Sequence, residues 1–282
     1  MDNRILKNGK KIPSIMFGSF QMTDQQEMND IVSAAVENGV LGFDTSPSYR
    51  TEGMLATAVH NVMKNNPAIK RDRFFIETKI DSWQMIAKKG EIRPFVTAKL
   101  KETKLQYWDC LLIHWPQPEY LVPTWKAMEK LYEEKLVRSI GVCNFSPRHF
   151  RTLQKGGAKI MPHICQNEIH PLNAEEELTA YCKEHGIILE AYSPLCRMIP
   201  QMRYNALINI LAEKYHVSPA QIILRWHIEH GRVPIVKTSS VKRVKENTDI
   251  FSFSLSEEDC KAIDQLNEDF HIFLESRCCP GY

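Results

Sequence analysis

The sequence lacks any long hydrophobic run and any strong excess of charge of one sign. No apolar stretch approaches the ~20 residues that a membrane-spanning helix requires, and residues 1–14 show no apolar core of a signal peptide. Lysine and arginine total 36 against 34 aspartates and glutamates, for a net charge of +2, and no basic stripe marks a nucleic-acid surface. These absences predict a cytoplasmic protein that binds neither a membrane nor a nucleic acid.

Glycine is scarce, at 12 residues in 282, and none of it forms a nucleotide-binding loop. Neither the G-x-G-x-x-G turn of doubly wound sheets nor a Walker A sequence occurs. The eight cysteines are scattered, apart from the adjacent Cys278 and Cys279, which is typical of free thiols rather than of a disulfide framework. His227 and His230 lie one helical turn apart, but no further ligand completes a metal set. We therefore predict a helix surface there and no metal site.

What the sequence does contain is an alternation of short apolar runs with helical patterns. Alternating βα units require parallel strands joined by helical crossovers, and eight units in a chain of this length predict a (β/α)8 TIM barrel. Asn8 and Gly9, between two short strand-like runs, add an N-terminal β-hairpin. No linker or low-complexity tract interrupts the pattern, so we predict one domain over residues 1–282. The eight predicted strands span residues 14–18, 40–44, 73–79, 108–114, 139–142, 164–168, 187–192 and 233–237.

Capping signals predict where several helices begin. Thr23 with Gln26 has the spacing of a capping box, and Ser218 with Gln221 marks another start. Ser146 precedes a proline, which is favoured at the first helical position.

Each predicted strand has a polar residue at or near its carboxyl end. In a parallel barrel the carboxyl ends of all strands face one mouth, so these side chains are expected to line a pocket rather than a core. The eight exits, in order, are Ser19, Asp44, Lys79, His114, Asn144, Gln166, Tyr192 and Lys237.

Asp44, Tyr49, Lys79 and His114 form the candidate catalytic group. Tyrosine is a weak acid, with a pKa of about 10, and a nearby ammonium favours the phenolate. Lys79, held charged by Asp44, is therefore expected to lower the pKa of Tyr49. The phenol can then donate a proton to a developing alkoxide, while His114 orients the carbonyl oxygen or shares the proton. The hydride that such a reduction needs must come from a nicotinamide cofactor.

Several blocks of sequence resemble the aldo-keto reductase family. The resemblance implies an NADPH-dependent reductase that converts an aldehyde or ketone to an alcohol. Tyr49 would be the general acid, Lys79 the residue that tunes its pKa, Asp44 the partner of Lys79, and His114 the residue that orients the substrate. The matching blocks, which follow one another in the family's order, are residues 44–49, 77–79, 112–116, 140–145, 166–171, 191–195, 235–238 and 244–247.

The resemblance also implies a set of cofactor contacts. Asn144 and Gln166 would hold the nicotinamide carboxamide, and Tyr192 would stack on the nicotinamide ring. Cationic donors on a phosphate make strong charge-assisted bonds, which favours NADPH over NADH. The remaining implied contacts are Ser193 and Leu195 at the pyrophosphate, Lys237, Thr238, Ser240 and Arg243 at the adenosine 2′-phosphate, Glu246 and Asn247 at the adenine, and Ser19 in the same mouth.

The substrate is predicted to be a small-molecule carbonyl compound held in an apolar pocket. Phe20, Trp83 and Trp115 are the expected pocket aromatics, and the C-terminal tail from about residue 268 is expected nearby. Cys143 and Cys196 stand where the family usually has serine and glycine. The alternative is a cofactor-binding regulatory subunit that reports redox state to a partner. The complete catalytic group favours the enzyme, which we expect to act as a monomer.

Overall fold

An antiparallel hairpin closes the amino-terminal end of the barrel in this protein. The structure is a computed structural model, which describes residues 3–273. The hairpin consists of β1 (Asn3–Ile5) and β2 (Lys11–Pro13). Gly9 adopts φ 78° in the turn, a conformation that glycine takes without strain. Leu6 and Ile12 are buried against the inward-facing side chains of the barrel.

Eight parallel strands, β3 to β10, form a closed barrel in which each strand pairs with its neighbour in sequence and β10 pairs with β3. The predicted TIM barrel with an N-terminal hairpin is therefore confirmed. Several predicted strands begin one or two residues before the first paired residue, because pattern alone does not fix the end of an element to the residue. The observed strands are Met16–Gly18, Gly42–Asp44, Phe75–Ile80, Cys110–Ile113, Ile140–Cys143, Ile164–Glu168, Ile188–Tyr192 and Val233–Val236.

Helices surround the barrel. Short 3-10 turns occur at Pro47–Tyr49, Arg71–Arg73 and Cys196–Met198. The helices α1 to α12 are Gln25–Glu37, Glu52–Asn65, Ser82–Ala87, Arg93–Thr103, Leu121–Glu133, Pro147–Lys155, Glu176–Glu184, Pro200–Arg203, Ala206–Tyr215, Pro219–Glu229, Val241–Thr248 and Glu257–Asp264. Within residues 3–273, no helix combines the length and the apolar character needed to cross a bilayer.

Of the three helix starts considered above, two are capped at the predicted residue and one is shifted by one residue. Ser146 and Ser218 begin helices as predicted, and each forms a capping box. Helix α1 is capped by Asp24 rather than Thr23, because the Asp24 carboxylate accepts a hydrogen bond from the backbone of Glu27 at 2.8 Å.

The barrel interior is apolar at the hairpin end and polar toward the mouth. The apolar part includes Met16, Phe75, Ile164 and Val233, all buried against the hairpin. Charged and amide side chains are buried nearer the carboxyl ends of the strands, namely Asp44, Glu77, Lys79, Gln166 and Glu190.

Candidate active site

A cavity of about 900 Å³ opens at the carboxyl ends of the barrel strands. This volume is in the range of small-molecule and cofactor sites. Most of the predicted site residues line it, which places acid, phenol, imidazole, amide and cationic groups in one enclosure. Those that line it are Phe20, Asp44, Tyr49, His114, Trp115, Asn144, Gln166, Tyr192, Ser193, Leu195, Lys237, Thr238, Arg243, Glu246 and Asn247.

Lys79 lies beneath this cavity, with its side chain fully buried on β5. Its ammonium donates to Asp44 Oδ1 at the end of β4 and to the backbone oxygen of Thr45 at 3.2 Å. Burial lowers the pKa of Lys79, but the neighbouring charges, Asp44 first, raise that pKa further, so it lies well above its ordinary value. The amine is therefore a permanent buried cation.

Tyr49 ends the 3-10 turn that follows β4, and Lys79 Nζ lies 5.0 Å from the centroid of its ring. Burial raises the pKa of Tyr49, and Lys79 lowers it by less, so the pKa lies above its ordinary value. Lys79 thus lowers the pKa of Tyr49, as predicted, but the net shift is upward, which the sequence did not indicate. Desolvation of the phenolate, which depends on tertiary burial, outweighs the attraction of the ammonium.

Asp81, which the sequence interpretation missed, holds the imidazole of His114. The His114 Nδ1 and the Asp81 Oδ1 are 2.5 Å apart. Burial lowers the pKa of His114, and the hydrogen bond to Asp81 opposes that shift without cancelling it. Because the carboxylate accepts Nδ1–H, the neutral ring carries no hydrogen on Nε2. The His114 ring lies edge-on to Tyr49, with centroids 5.7 Å apart.

The amide groups of Asn144 and Gln166 are held in fixed orientations. Asn144 has φ 59°, and its Nδ2 donates to the backbone oxygen of His114 at 2.8 Å. Its Oδ1 accepts from the hydroxyl of Tyr192 at 2.8 Å. Gln166 Nε2 donates to Glu77 Oε1 and to Glu190 Oε2, each at 2.9 Å. Both amides and the Tyr192 ring belong to the cavity lining.

Cationic side chains occupy another part of the wall, near the N-terminus of α11. Lys237 and Arg243 line the cavity there, and Arg203 of α8 is a further cation in the cavity lining. Lys237 Nζ contacts Ser239 Oγ at 2.6 Å and Glu27 Oε1 at 3.7 Å. Positive side chains beside the free backbone N–H groups of a helix start form a site suited to phosphate.

Besides Lys79, three predicted site residues do not line the cavity. Ser19 is buried and its hydroxyl bonds the backbone oxygen of Asp44 at 2.9 Å. Ser240 caps α11, accepting from the backbone of Arg243 at 3.5 Å. Trp83 is 54% exposed and lies edge-on to Phe95, in a separate surface depression. The position of Trp83 in helix α3, which turns it outward, was not evident from the sequence.

The loop after β9 contributes lining residues that the sequence interpretation did not assign. The Arg197 guanidinium lies 4.8 Å from the ring of Phe273 and 5.9 Å from that of Phe20. Cys196, Arg197 and Met198 have φ between 47° and 49°, the left-handed region that glycine occupies without strain. The family's usual glycine at the Cys196 position was the available signal. Residues 274–282 of the predicted tail, with both of its cysteines, lie outside the described residues.

Away from the cavity, the prediction that His227 lies on a helix surface is wrong. It is fully buried rather than on a helix surface, and its Nε2 lies 3.2 Å from the backbone oxygen of Pro194. His230 is part-buried and contacts Asp264 Oδ1 at 3.0 Å. Over residues 3–273 there is no group of three or more His, Cys, Asp or Glu side chains that could hold a metal ion.

Comparison with known proteins gives matches over nearly the whole chain. A model described as Aldo/keto reductase family matches residues 14–268. The glyoxal reductase of Bacillus subtilis (strain 168) is 38% identical over 267 residues, which cover 95% of this chain and 93% of that protein. The methylglyoxal reductase DkgA of Escherichia coli (strain K12) is 34% identical, covering 93% and 92%.

The comparison with solved structures agrees with the sequence matches. The crystal structure of an aldo-keto reductase of Bombyx mori in complex with NADP has a TM-score of 0.88 at 28% identity. The similarity covers 98% of this chain and 96% of that chain.

Proposed function

Because the chain belongs to the aldo/keto reductase family, and is therefore an NAD(P)H-dependent carbonyl oxidoreductase, we propose that it reduces a small aldehyde or ketone to an alcohol. In this proposal NADPH is the hydride donor and Tyr49 the general acid. The observation that carries it is the buried Lys79–Asp44 pair directly beneath Tyr49, in a cavity that also contains two oriented amides and a cationic wall.

The residues of the cavity fit a nicotinamide cofactor with a 2′-phosphate. Gln166 and Asn144 present amide groups that suit the carboxamide, and the Tyr192 ring suits the nicotinamide face. Lys237 and Arg243 near the start of α11 suit a phosphate, which NADH lacks at that position. When bound, NADPH supplies the hydride that the protein cannot provide.

Tyr49 is the group that gives up a proton. Its raised pKa keeps the phenol protonated at neutral pH, which is the form that a reduction consumes. An alkoxide developing on the substrate is a far stronger base than a phenolate, so proton transfer from Tyr49 is favourable. Lys79 then stabilises the phenolate left behind, and Asp44 keeps Lys79 in place and charged.

His114 acts together with Asp81 in this proposal. With Nδ1–H donated to Asp81, a neutral His114 offers only an acceptor at Nε2. Donation from Nε2 to a carbonyl oxygen therefore needs the imidazolium, which is the minor form near neutral pH because burial lowers the pKa of His114, and which the Asp81 carboxylate favours. Asp81 is thus a positioning residue for the assigned role of His114.

We propose 2-oxoaldehydes such as methylglyoxal as the first substrates to test. Two relatives with similarity over most of the chain are named for the reduction of glyoxal and methylglyoxal. The aromatic wall formed by Phe20, Trp115 and Phe273 is compatible with a small, partly apolar carbonyl compound.

The experiment compares wild type with Tyr49→Phe, following NADPH absorbance with a panel of aldehydes and ketones and NADPH affinity by fluorescence. We expect the variant to lose about 10²–10⁴-fold in turnover with NADPH affinity retained. Equal turnover in the two proteins would refute Tyr49 as the acid. Tight binding without turnover of any substrate by the wild type would instead favour a cofactor-binding regulatory subunit.

We also propose that the protein acts as a single-domain monomer in the cytoplasm. All the residues assigned to the site come from one barrel of one chain. Size-exclusion chromatography with light scattering tests the oligomeric state directly.

A further inference from the structure

Two glutamates are buried inside the barrel, below the proposed cofactor site. Glu77 lies on β5, two residues before Lys79, and Glu190 lies on β9, in register with Gln166 on β8. Both side chains are fully inaccessible to solvent. An unpaired carboxylate in such surroundings is strongly disfavoured, so the hydrogen bonds of the two groups decide their charge.

The hydrogen bonds of the two carboxyl groups require a shared proton. The carboxyl groups of Glu77 and Glu190 lie within hydrogen-bonding reach of each other. Each also accepts a hydrogen bond from Gln166 Nε2 at 2.9 Å, Glu77 through Oε1 and Glu190 through Oε2. Within residues 3–273, Glu77 Oε2 and Glu190 Oε1 have no donor unless one carboxyl group keeps its proton. The pair therefore carries one proton and one negative charge.

The charges around the pair determine which group keeps the proton. Burial, then Glu190 and Asp44, raise the pKa of Glu77 well above its ordinary value, and Lys79 opposes them. Burial also raises the pKa of Glu190, to about 7, while its bond to Gln166 lowers it. The other titratable groups facing the pair are the thiols of two neighbouring strands, Cys110 and Cys143. Both shifts favour a carboxyl group that stays protonated at neutral pH, and we assign that proton to Glu77.

The orientation of Gln166 follows from the same bonds. Its Nε2 donates hydrogen bonds to Glu77, to Glu190 and, at 3.3 Å, to Asp44 Oδ1. Three oxygen acceptors saturate the two hydrogens of one amide nitrogen. The remaining atom, Oε1, can only accept a hydrogen bond, and the amino group of a nicotinamide carboxamide is a donor that suits it.

We propose that Glu77 and Glu190 are a proton-sharing carboxyl pair that positions Gln166 for the nicotinamide carboxamide and makes cofactor affinity depend on the ionisation of Glu190. The proposal rests on the cofactor site proposed above. When Glu190 takes up a proton as the pH falls, the second acidic hydrogen needs an acceptor. Gln166 Oε1 is then drawn into the interior, and its bond to the carboxamide is lost.

Glutamine substitutions separate the two members of the pair, because glutamine has the shape and the hydrogen bonds of a protonated glutamate. Glu190→Gln imitates the protonated state at every pH. We expect the ratio of its dissociation constant for NADP+ to that of wild type to be about 1 at about pH 6. At about pH 8 the ratio should be about 10, which is the effect of one lost hydrogen bond. Glu77→Gln keeps a donor to Glu190 and is expected to follow the pH dependence of the wild type.

The measurement is isothermal titration calorimetry with NADP+, read as the ratio between each variant and wild type. This ratio cancels the titration of the cofactor's own 2′-phosphate, whose second pKa is about 6. Glu52→Gln is the matched control. Glu52 is a buried carboxyl group at the start of α2, and it accepts a hydrogen bond from Thr78, the residue after Glu77 on β5. Its ratio should not change with pH. A ratio for Glu190→Gln that is equally independent of pH would overturn the proposal.

Infrared spectroscopy tests the shared proton without any cofactor. At about pH 8 the wild type should show a protonated carboxyl C=O band that Glu77→Gln lacks and Glu52→Gln retains. Absence of that difference would refute the proton on Glu77. Failure of the wild type to bind NADP+ would instead refute the proposed function and leave this infrared result to stand alone.

Discussion

The buried ion pair of Lys79 and Asp44 allows stability and catalysis to be separated by experiment. Replacing Lys79 by methionine leaves the Asp44 carboxylate buried without its cation, since the two side chains are 0% and 6% exposed. Breaking such a pair on one side costs about 3–5 kcal/mol of folding free energy. Removing both charges, in Lys79→Met/Asp44→Asn, leaves no unpaired charge and should recover most of that loss.

Catalysis should not recover in the double variant. Lys79 Nζ lies 5.0 Å from the Tyr49 ring centroid. Two unit charges about 5 Å apart interact by about 3 kcal/mol at an effective dielectric constant of about 20. Losing this stabilisation of the developing phenolate corresponds to roughly a hundredfold lower rate. The single and double variants are therefore expected to be similarly slow.

Urea denaturation and NADPH-dependent turnover, measured on wild type, both single variants and the double variant, provide the two readouts. We expect the double variant to be more stable than either single variant and no more active than Lys79→Met. Wild-type turnover in the double variant would show that Lys79 does not stabilise the phenolate. A Lys79→Met protein as stable as wild type would show that the ion pair is not buried as described.

Three further predictions concern the cofactor, acid stability and the substrate pocket. Arg243→Ala should raise the Kd for NADPH about tenfold, through loss of a charge-assisted bond, with little change for NADH in the same fluorescence titration. Burial lowers the pKa of His149 to about 3, whereas an unfolded histidine titrates near about 6.5. The unfolded state therefore binds more protons between these values, and stability should fall as pH drops from about 6.5 to about 3. Urea midpoints should show a shallower fall in His149→Gln, and an equally steep one would refute the assignment. Trp115→Ala should raise KM for methylglyoxal several-fold, whereas Trp83→Ala, outside the cavity, should leave KM within about twofold, as exposed substitutions usually do.

The barrel and the polar strand exits could be predicted because they depend on local pattern. Apolar runs, helical spacing and a polar residue at each strand end placed Asp44 and His114 at one mouth, where the structure also has them. The features of the site that could not be predicted depend on contacts between distant parts of the chain. Asp81 follows a strand like any helix cap, and its bond to His114 forms only in the folded barrel. The net pKa of Tyr49 likewise depends on how deeply the folded protein buries the ring.

The left-handed turn at Cys196–Met198 has a consequence for how this protein could be altered. Each residue there adopts a conformation that costs an L-amino acid about 1–2 kcal/mol, and glycine would remove much of that cost. All three positions carry side chains although the backbone conformation favours glycine. Of the three side chains, that of Arg197 contacts the aromatic wall. Glycine substitutions in this turn should therefore stabilise the protein, one residue at a time. Because the turn also borders the cavity, it is a starting point for redesigning substrate choice.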